Sequence, residues 1–197
     1  PNPFASICGR VCGAPCEVEC RRGSIDDAIT IRALKRFVTE QHGAEAGDPA
    51  KTVQFSTARR DTNNPKAGTK IAVIGGGVAG LTAAHDLALL GYRVTVFEAG
   101  PVAGGMLMTG VPTYRLPRDL VQMEIQAILS LGVELKVNTR VGTDVTIPQL
   151  RSQGFEAILI AAGLQRGRNL PIKGVELQGV VHGIDFLKDV NTGVEAH

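Results

Sequence analysis

A glycine-rich turn between a buried strand and a helix constrains this chain more than any other feature. The stretch KIAVIGGGVAGLTAAHDLALLGYRVTVFE begins at Lys70 with an apolar run that is typical of a buried β-strand. Gly75, Gly77 and Gly80 follow this run and satisfy the pattern G-x-G-x-x-G at the beginning of a predicted helix over residues 78–90. The arrangement predicts the first β-α-β unit of a Rossmann-like domain.

Each glycine of this turn has a separate task. Gly75 permits the tight turn, Gly77 lets a pyrophosphate approach the backbone, and Gly80 lets the helix pack closely on the strand. The helix N-terminus directs free N–H groups and a partial positive charge at the phosphates. Glu98 ends the second predicted strand, where a carboxylate accepts hydrogen bonds from ribose hydroxyls. Because that carboxylate repels a 2′-phosphate, the pattern favours FAD or NAD over NADP. The alternatives are a turn without a ligand and a solvated Glu98.

Strands and helices alternate through the rest of the C-terminal part. The pattern predicts strands at 92–98, at 133–140 and from Glu156, a glycine- and proline-rich loop at 101–116, and helices at 116–132, at 147–152 and in GIDFLKDVNTG. Strands that alternate with helices at this spacing form a parallel sheet with helices on both faces, so the predicted fold class is α/β.

Composition and charge exclude several classes of protein. The chain has 197 residues and a formal net charge of +2, so nothing points to nucleic acid or to an anionic membrane surface. No uncharged apolar run reaches the roughly 18 residues of a transmembrane helix. The segment PNPFASICGR lacks the basic and apolar regions of a secretory signal. We therefore expect a cytoplasmic, reducing location, where structural disulfides are rare.

All four cysteines fall in the short stretch ICGRVCGAPCEVEC, as Cys8, Cys12, Cys16 and Cys20. Disulfides would need an oxidising compartment. Zinc accepts four thiolates, but structural zinc sites usually bring them as two closely spaced pairs. An iron–sulfur cluster also takes cysteine thiolates, commonly from a short run interrupted by glycine and proline. The residues alone leave these three possibilities open.

The N-terminal part divides into three predicted segments. The mixture of cysteine, glycine and proline in residues 1–23 suits neither a helix nor a strand. A helix is predicted over residues 24–41, with Ser24 as its N-cap. Residues 43–68 show no sustained period and are predicted to form a linker or an extended arm.

In combination, these motifs suggest a family. The series NPF, CGRVCGAPCEVEC, IRALKRF, IAVIGGGVAGLTAA, VTVFEA, AGGML, GVPTYRLP and ILIAAG resembles the small subunit of NADPH-dependent glutamate synthase. It is similar also to the N-terminal part of dihydropyrimidine dehydrogenase and to related FAD-containing subunits of redox complexes. The resemblance covers nearly the whole chain and joins the cysteine block to the glycine turn.

The resemblance implies that the glycine turn binds FAD. The residues implied to hold its pyrophosphate and adenosine ribose are Gly75, Gly77, Val78, Ala79, Gly80 and Glu98. Those implied to contact its flavin side are Gly104, Gly105, Met106 and Arg115, in GPVAGGMLMTGVPTYRLP. Val141 would touch the adenine through its backbone. Ala161 and Gly163 belong to AAG, where the family usually has Ala-Thr-Gly, so one local hydrogen bond is in doubt.

The resemblance also favours a 4Fe-4S cluster. In the relatives, cysteines that match Cys12, Cys16 and Cys20 are ligands, whereas the one that matches Cys8 need not be. A Gln or Glu ligand in the following helix is replaced here by Lys35, and a protonated lysine cannot coordinate iron. The simplest prediction is one cluster held by Cys8, Cys12, Cys16 and Cys20. The alternative is a degenerate or empty site.

The predicted organisation is a small helical, cysteine-rich iron–sulfur module at 1–42, a linker at 43–68 and an FAD-binding domain at 69–197 that is incomplete. Full-length relatives continue into a second G-x-G-x-x-G that binds NAD(P)H, and no second such turn is found here. We therefore expect part of an FAD-dependent NAD(P)H oxidoreductase subunit that passes electrons to iron–sulfur centres of a larger partner subunit. The cofactor would supply the chemistry, so no catalytic side chain is predicted. A non-catalytic docking subunit and a single-domain NAD-dependent dehydrogenase are the alternatives.

Overall fold

The structure, a computed structural model, describes residues 2–47 and 63–193. Most of the predicted linker, residues 48–62, lies outside the described residues. In the described part of the chain, no helix is long and apolar enough to cross a membrane.

The cysteine-rich segment is helical, and the prediction that it suits neither helix nor strand is wrong. Its elements are α1 (Ala5–Val11), α2 (Pro15–Val18), a 3-10 turn (Arg21–Ser24), α3 (Ile31–His42) and a second 3-10 turn (Ala44–Ala46). Two side chains at the start of the segment explain this result, since Phe4 and Ile7 are buried in the main hydrophobic core. Tertiary packing of an apolar face stabilises short helices that local propensity alone does not.

The predicted helix over residues 24–41 is wrong at its beginning. The helix α3 begins only at Ile31, and Ser24 ends the first 3-10 turn instead of capping α3. The Asp26 carboxylate forms an ion pair with Arg22, which ties this stretch back to the 3-10 turn. The apolar spacing therefore predicts the helix correctly only from Ile31 onwards.

The C-terminal part contains the predicted parallel sheet. Its strands are β1 (Lys70–Ile74), β2 (Arg93–Phe97), β3 (Glu134–Lys136) and β4 (Phe155–Ile160). They lie in the order β3-β2-β1-β4, and every neighbouring pair is parallel. In the register, Ile74 pairs with Phe97 on one side and Ile160 on the other, so the carboxyl ends of these strands lie side by side.

Helices pack on both faces of this sheet, although β4 is largely exposed. The helices of this part are α4 (Val78–Leu89), α5 (Met106–Thr109), α6 (Arg118–Leu129), α7 (Ile147–Ser152) and α8 (Gly183–Thr192). The main core lies between the sheet and the helices α4 and α6, and a smaller cluster lies beneath Leu150 of α7. The Rossmann-like architecture is confirmed. The short helix α5 lies in the region predicted to be a loop.

Candidate functional site

The glycine turn has a backbone that only glycine fits at its first position. Gly75 has a φ of 109°, and its N–H donates to Phe97 O at 2.8 Å. A Cβ at Gly75 would lie 2.3 Å from Ala161 O. The turn is thus held between the ends of β2 and β4, with the Ala161 carbonyl directly beside Gly75.

Gly80 and Gly77 differ in their surroundings. A Cβ at Gly80 would lie 2.0 Å from Gly75 O and 3.1 Å from Val73 Cγ1, so this glycine allows α4 to pack on β1. At Gly77, a Cβ would meet only Gly105 Cα at 3.9 Å. Space is therefore open beside the Gly77 backbone, at the beginning of α4, where a pyrophosphate is expected.

Glu98 lies beside the same turn. Its Oε2 accepts a hydrogen bond from Gly76 N at 2.7 Å, and its Oε1 accepts one from Gly100 N at 2.7 Å. The side chain is only partly exposed. Each carboxylate oxygen has further lone-pair capacity, so the geometry fits a carboxylate that holds the turn and also accepts from ribose hydroxyls.

The predicted flavin-side segment contacts the glycine turn directly. Gly104 N donates to Gly76 O at 2.7 Å. Gly105, with a φ of 51°, approaches so closely that its Cβ would lie 3.0 Å from Gly77 Cα. Met106 follows as the first residue of α5 and is 39% exposed. Arg115 is exposed, and among the described residues its side chain forms no ion pair.

The remaining predicted residues follow strand ends or begin α4. Val141 lies after β3 and forms an isolated bridge with Val145. Gly163 lies after β4 with a φ of 68°. Val78 and Ala79 are exposed at the start of α4. Segments that follow all four strands therefore meet at the carboxyl edge of the sheet, where open α/β sheets bind ligands.

The thiols of Cys8 and Cys12 lie together beside a lysine. Lys35 Nζ donates to Cys8 Sγ at 3.1 Å. The pKa of the Cys12 thiol is lowered, mainly because Ala14 N–H donates to its sulfur at 3.4 Å, and further by Cys8 and by the positive charges of Lys35 and Arg32. The contact with Cys8 raises the pKa of Lys35. This environment favours a thiolate, the form that binds metal.

The other two cysteines have different surroundings, although the Cys16 thiol also acts on Lys35 through its charge. Backbone N–H groups of Ile29 and Arg22 lower the pKa of the Cys20 thiol, and Cys16 is exposed on α2. Within residues 2–47 and 63–193, no three side chains of cysteine, histidine or carboxylate type converge to hold a metal ion. The thiols fit a cluster in their chemistry, but the four predicted ligands are not gathered, so this ligand set stays a prediction. All four cysteines are free of disulfides.

Sequence reasoning missed three side chains that organise this region. They are Glu124, which accepts from backbone N–H groups of α1, and Arg118 and Asn191, which donate to carbonyls around α5. Their partners are backbone groups, distant in the chain for Glu124 and Asn191 and within about three helical turns for Arg118. Backbone partners leave no motif in the sequence.

Comparisons with known proteins agree with this geometry. Residues 69–195 match the family model described as pyridine nucleotide-disulphide oxidoreductase. The chain belongs to this family. Residues 1–46 match the model described as dihydropyrimidine dehydrogenase domain II, 4Fe-4S cluster. The predicted cofactor classes, FAD for the C-terminal part and a 4Fe-4S cluster for the N-terminal part, are confirmed at the level of these two families.

Two curated relatives match almost the whole of this chain. The chain is 43% identical to the NADP(+)-dependent formate dehydrogenase subunit beta of Moorella thermoacetica, over 95% of this chain and 28% of the relative. It is 35% identical to the glutamate synthase [NADPH] small chain of Bacillus subtilis, over 94% of this chain and 36% of the relative. The resemblance seen in the motifs is confirmed, and the chain spans less than half the length of either relative.

The fold of this family also agrees with solved structures. FprA from Mycobacterium tuberculosis, as its His57Gln mutant, matches with a TM-score of 0.58 and 24% sequence identity. The match covers 63% of this chain and 29% of that one. At this level of identity the likeness shows the fold alone, and it confirms the Rossmann-like architecture.

Proposed function

We propose that this chain is the FAD-binding part of an NAD(P)H oxidoreductase subunit that passes electrons between NAD(P)H, flavin and the iron–sulfur centres of a partner subunit. One observation carries the proposal: the carboxyl edge of the sheet leaves open backbone at Gly77, between the Glu98 carboxylate and the Gly105 approach. A dinucleotide laid across that edge meets phosphate-binding amides and a ribose-binding carboxylate together.

The residues of this edge divide the work of holding FAD. Gly75, Gly77, Val78, Ala79 and Gly80 hold the pyrophosphate at the start of α4, and Glu98 accepts from the ribose. Flavin-side contacts come from Gly104, Gly105, Met106 and Arg115, and Val141, Ala161 and Gly163 line the ends of β3 and β4. When bound, FAD supplies the two-electron and one-electron chemistry, and these residues supply orientation and charge.

The cysteine segment is proposed to hold a 4Fe-4S cluster through Cys8, Cys12, Cys16 and Cys20. Two observations support this assignment: the pKa values of the Cys12 and Cys20 thiols are lowered by backbone N–H groups, and Lys35 places a positive charge beside Cys8. Both features stabilise thiolates.

The division of the chain and its partners belong to the same proposal. We assign residues 1–42 to the iron–sulfur module, 43–68 to a linker and 69–197 to the FAD-binding domain, with NAD(P)H bound by a further domain. Relatives named as subunits of larger enzymes support a larger redox partner carrying further iron–sulfur centres. The four free thiols fit a cytoplasmic location.

The test is to purify the whole natural polypeptide without oxygen and to measure bound flavin, iron and NAD(P)H:viologen reductase activity. We expect a yellow protein with FAD, iron and an EPR signal of a reduced cluster. Flavin and iron without reductase activity would instead indicate the alternative, a docking subunit without turnover. A colourless protein that binds no added FAD contradicts both.

A further inference from the structure

The helix α5 lies between the glycine turn and the start of α6, and its carbonyls need partners. A helix leaves its last carbonyl groups without intrahelical donors. Within the flavin-side segment, residues 100–117, Gly110 N and Val111 N both donate to Met106 O, at 2.9 and 3.0 Å. The carbonyls of Leu107, Thr109 and Val111 are taken up from outside the segment.

Arg118 supplies two of these outside donors. Its Nη1 donates to Leu107 O, and its Nη2 donates to Val111 O at 2.6 Å. The side chain is half-buried, and among the described residues no carboxylate forms an ion pair with it. Its charge is therefore directed at the two carbonyls, and its planar fork spans two acceptors that a lysine cannot hold in the same way.

Asn191 supplies the third donor. Its Nδ2 donates to Thr109 O at 2.8 Å, and α8, which carries it, packs against α5. The segment is thus held from two sides, by the first residue of α6 and by the end of α8. The other side of the segment contacts the glycine turn through Gly104 and Gly105, and Gly104 N donates to Gly76 O.

We infer that Arg118 is the positioning residue of the flavin-side segment, with Asn191 as its weaker counterpart. Arg118 fixes α5 through Leu107 O and the residues that follow the helix through Val111 O. These contacts in turn fix Gly105 and Met106 where the flavin end of FAD is proposed to lie. Neither side chain is assigned a contact with the cofactor. The inference rests on the proposed function, since it concerns the flavin end of that same site.

The test separates the two ends of FAD. The variants Arg118→Met, Arg118→Lys and Asn191→Ala are made in the whole natural polypeptide. FAD affinity is measured by quenching of flavin fluorescence, and ADP affinity by its competition with FAD in the same titration, because ADP carries only the half that Gly77 and Glu98 hold. Circular dichroism of the bound flavin reports its surroundings directly. Arg93→Met is the control, since Arg93 is exposed on β2 and forms no ion pair among the described residues.

Loss of a charged donor to two carbonyls should weaken FAD binding by about tenfold or more in Arg118→Met, with a smaller effect in Arg118→Lys and in Asn191→Ala. ADP affinity should stay within about twofold, because the glycine turn is intact. The circular dichroism of the bound flavin should change in Arg118→Lys and not in Arg93→Met.

Several outcomes would overturn the inference. Equal losses of FAD and ADP affinity would mean that Arg118 supports only the general fold. Unchanged FAD affinity and flavin circular dichroism in both Arg118→Lys and Asn191→Ala would show that the segment needs no such support. If Arg118→Met fails to fold, the results from these two milder variants decide the question. A wild-type protein that binds no FAD would remove the proposed function and this inference together.

Discussion

Gly77 and Gly80 belong to one turn, but an added methyl group should act differently at each. The Gly77→Ala variant places its Cβ in open space, with Gly105 Cα at 3.9 Å as the nearest atom. The protein without cofactor should therefore keep its stability to within about 0.5 kcal/mol, while the methyl group blocks the pyrophosphate and FAD affinity falls by at least tenfold. Denaturant unfolding and flavin-fluorescence titration measure the two effects.

The Gly80→Ala variant is the matched comparison. Its Cβ would lie 2.0 Å from Gly75 O, so the helix must move, at a cost of about 1–3 kcal/mol. Stability and FAD affinity should then fall together. If Gly77→Ala destabilises the cofactor-free protein as much as Gly80→Ala does, the space beside Gly77 is not open, and unchanged FAD affinity in Gly77→Ala would show that it holds no pyrophosphate.

Lys35 should control the reactivity of a neighbouring thiol. Its charge contributes to the lowered pKa of Cys12, and a lower pKa means more thiolate near neutral pH. In Lys35→Met without metal, the curve of Cys12 alkylation by iodoacetamide against pH should therefore move to higher pH. Mass spectrometry of the Cys12 peptide measures the extent of alkylation at each pH. The control variant, Lys188→Met on α8, should leave the curve unchanged. If the curve for Lys35→Met is unchanged, the charge of the lysine does not influence the Cys12 thiol.

At the scale of elements, one buried carboxylate joins α6 to α1. Glu124 is 4% exposed, and it accepts from Ser6 N at 2.6 Å and from Ile7 N at 3.3 Å. Burial raises its pKa to about 7, against the two N–H donors that lower it, and the charge of Glu45 adds to the rise. The Ser6 hydroxyl influences the same carboxyl but is buried without a hydrogen bond of normal geometry.

This contact should make stability depend on pH with a definite sign. The folded state holds the Glu124 proton more tightly than the unfolded chain does. The contribution of Glu124 to the free energy of unfolding is therefore fully present below about pH 4.5 and is lost as pH rises through 7. The total loss is about 3 kcal/mol. In Glu124→Gln this loss should disappear, because the amide stays neutral and its oxygen still accepts from Ser6 N. Urea unfolding at several pH values measures it.

The control for this prediction is Glu156→Gln, an exposed carboxylate on β4, which should keep the wild-type dependence on pH. The nearest charged pair is Arg10 and Glu45, which form an ion pair at 2.5 Å near α1. Identical slopes for the wild type and Glu124→Gln would contradict a raised pKa at Glu124.

The elements differ in how far the sequence could predict them. Strands β1, β2 and β4 and helices α4 and α7 follow from local apolar periods bounded by glycine or proline, and the structure has them within a few residues of prediction. Helix α1 escaped prediction because Phe4 and Ile7 are buried against residues distant in the chain. In the site, the glycine turn could be predicted because its pattern is local. Arg118 and Glu124 could not, because they bind backbone groups, which leave no motif in the sequence.

At the scale of the whole molecule, the cysteine segment and the Rossmann-like part share one hydrophobic core. Phe4 and Ile7, 5% and 4% exposed, belong to the same cluster as Val73, Val96 and Leu120. The cysteines therefore lie on a segment anchored to the sheet and its helices. Such an anchor would keep a cluster at a fixed place relative to FAD, as electron transfer between them requires.

This shared core predicts that a change at the N-terminus weakens the flavin site. Phe4→Ala should lower the free energy of unfolding by about 3 kcal/mol or more, through lost burial and the cavity left behind. Because the cluster is common to both parts, unfolding should remain one transition, and FAD should be released at a lower temperature than in the wild type. Val18→Ala, at a side chain that is 81% exposed, should change neither. If Phe4→Ala instead unfolds only the cysteine segment and leaves the temperature of FAD release unchanged, the two parts are independent folding units, and the position of the cysteines relative to FAD must be set by other contacts.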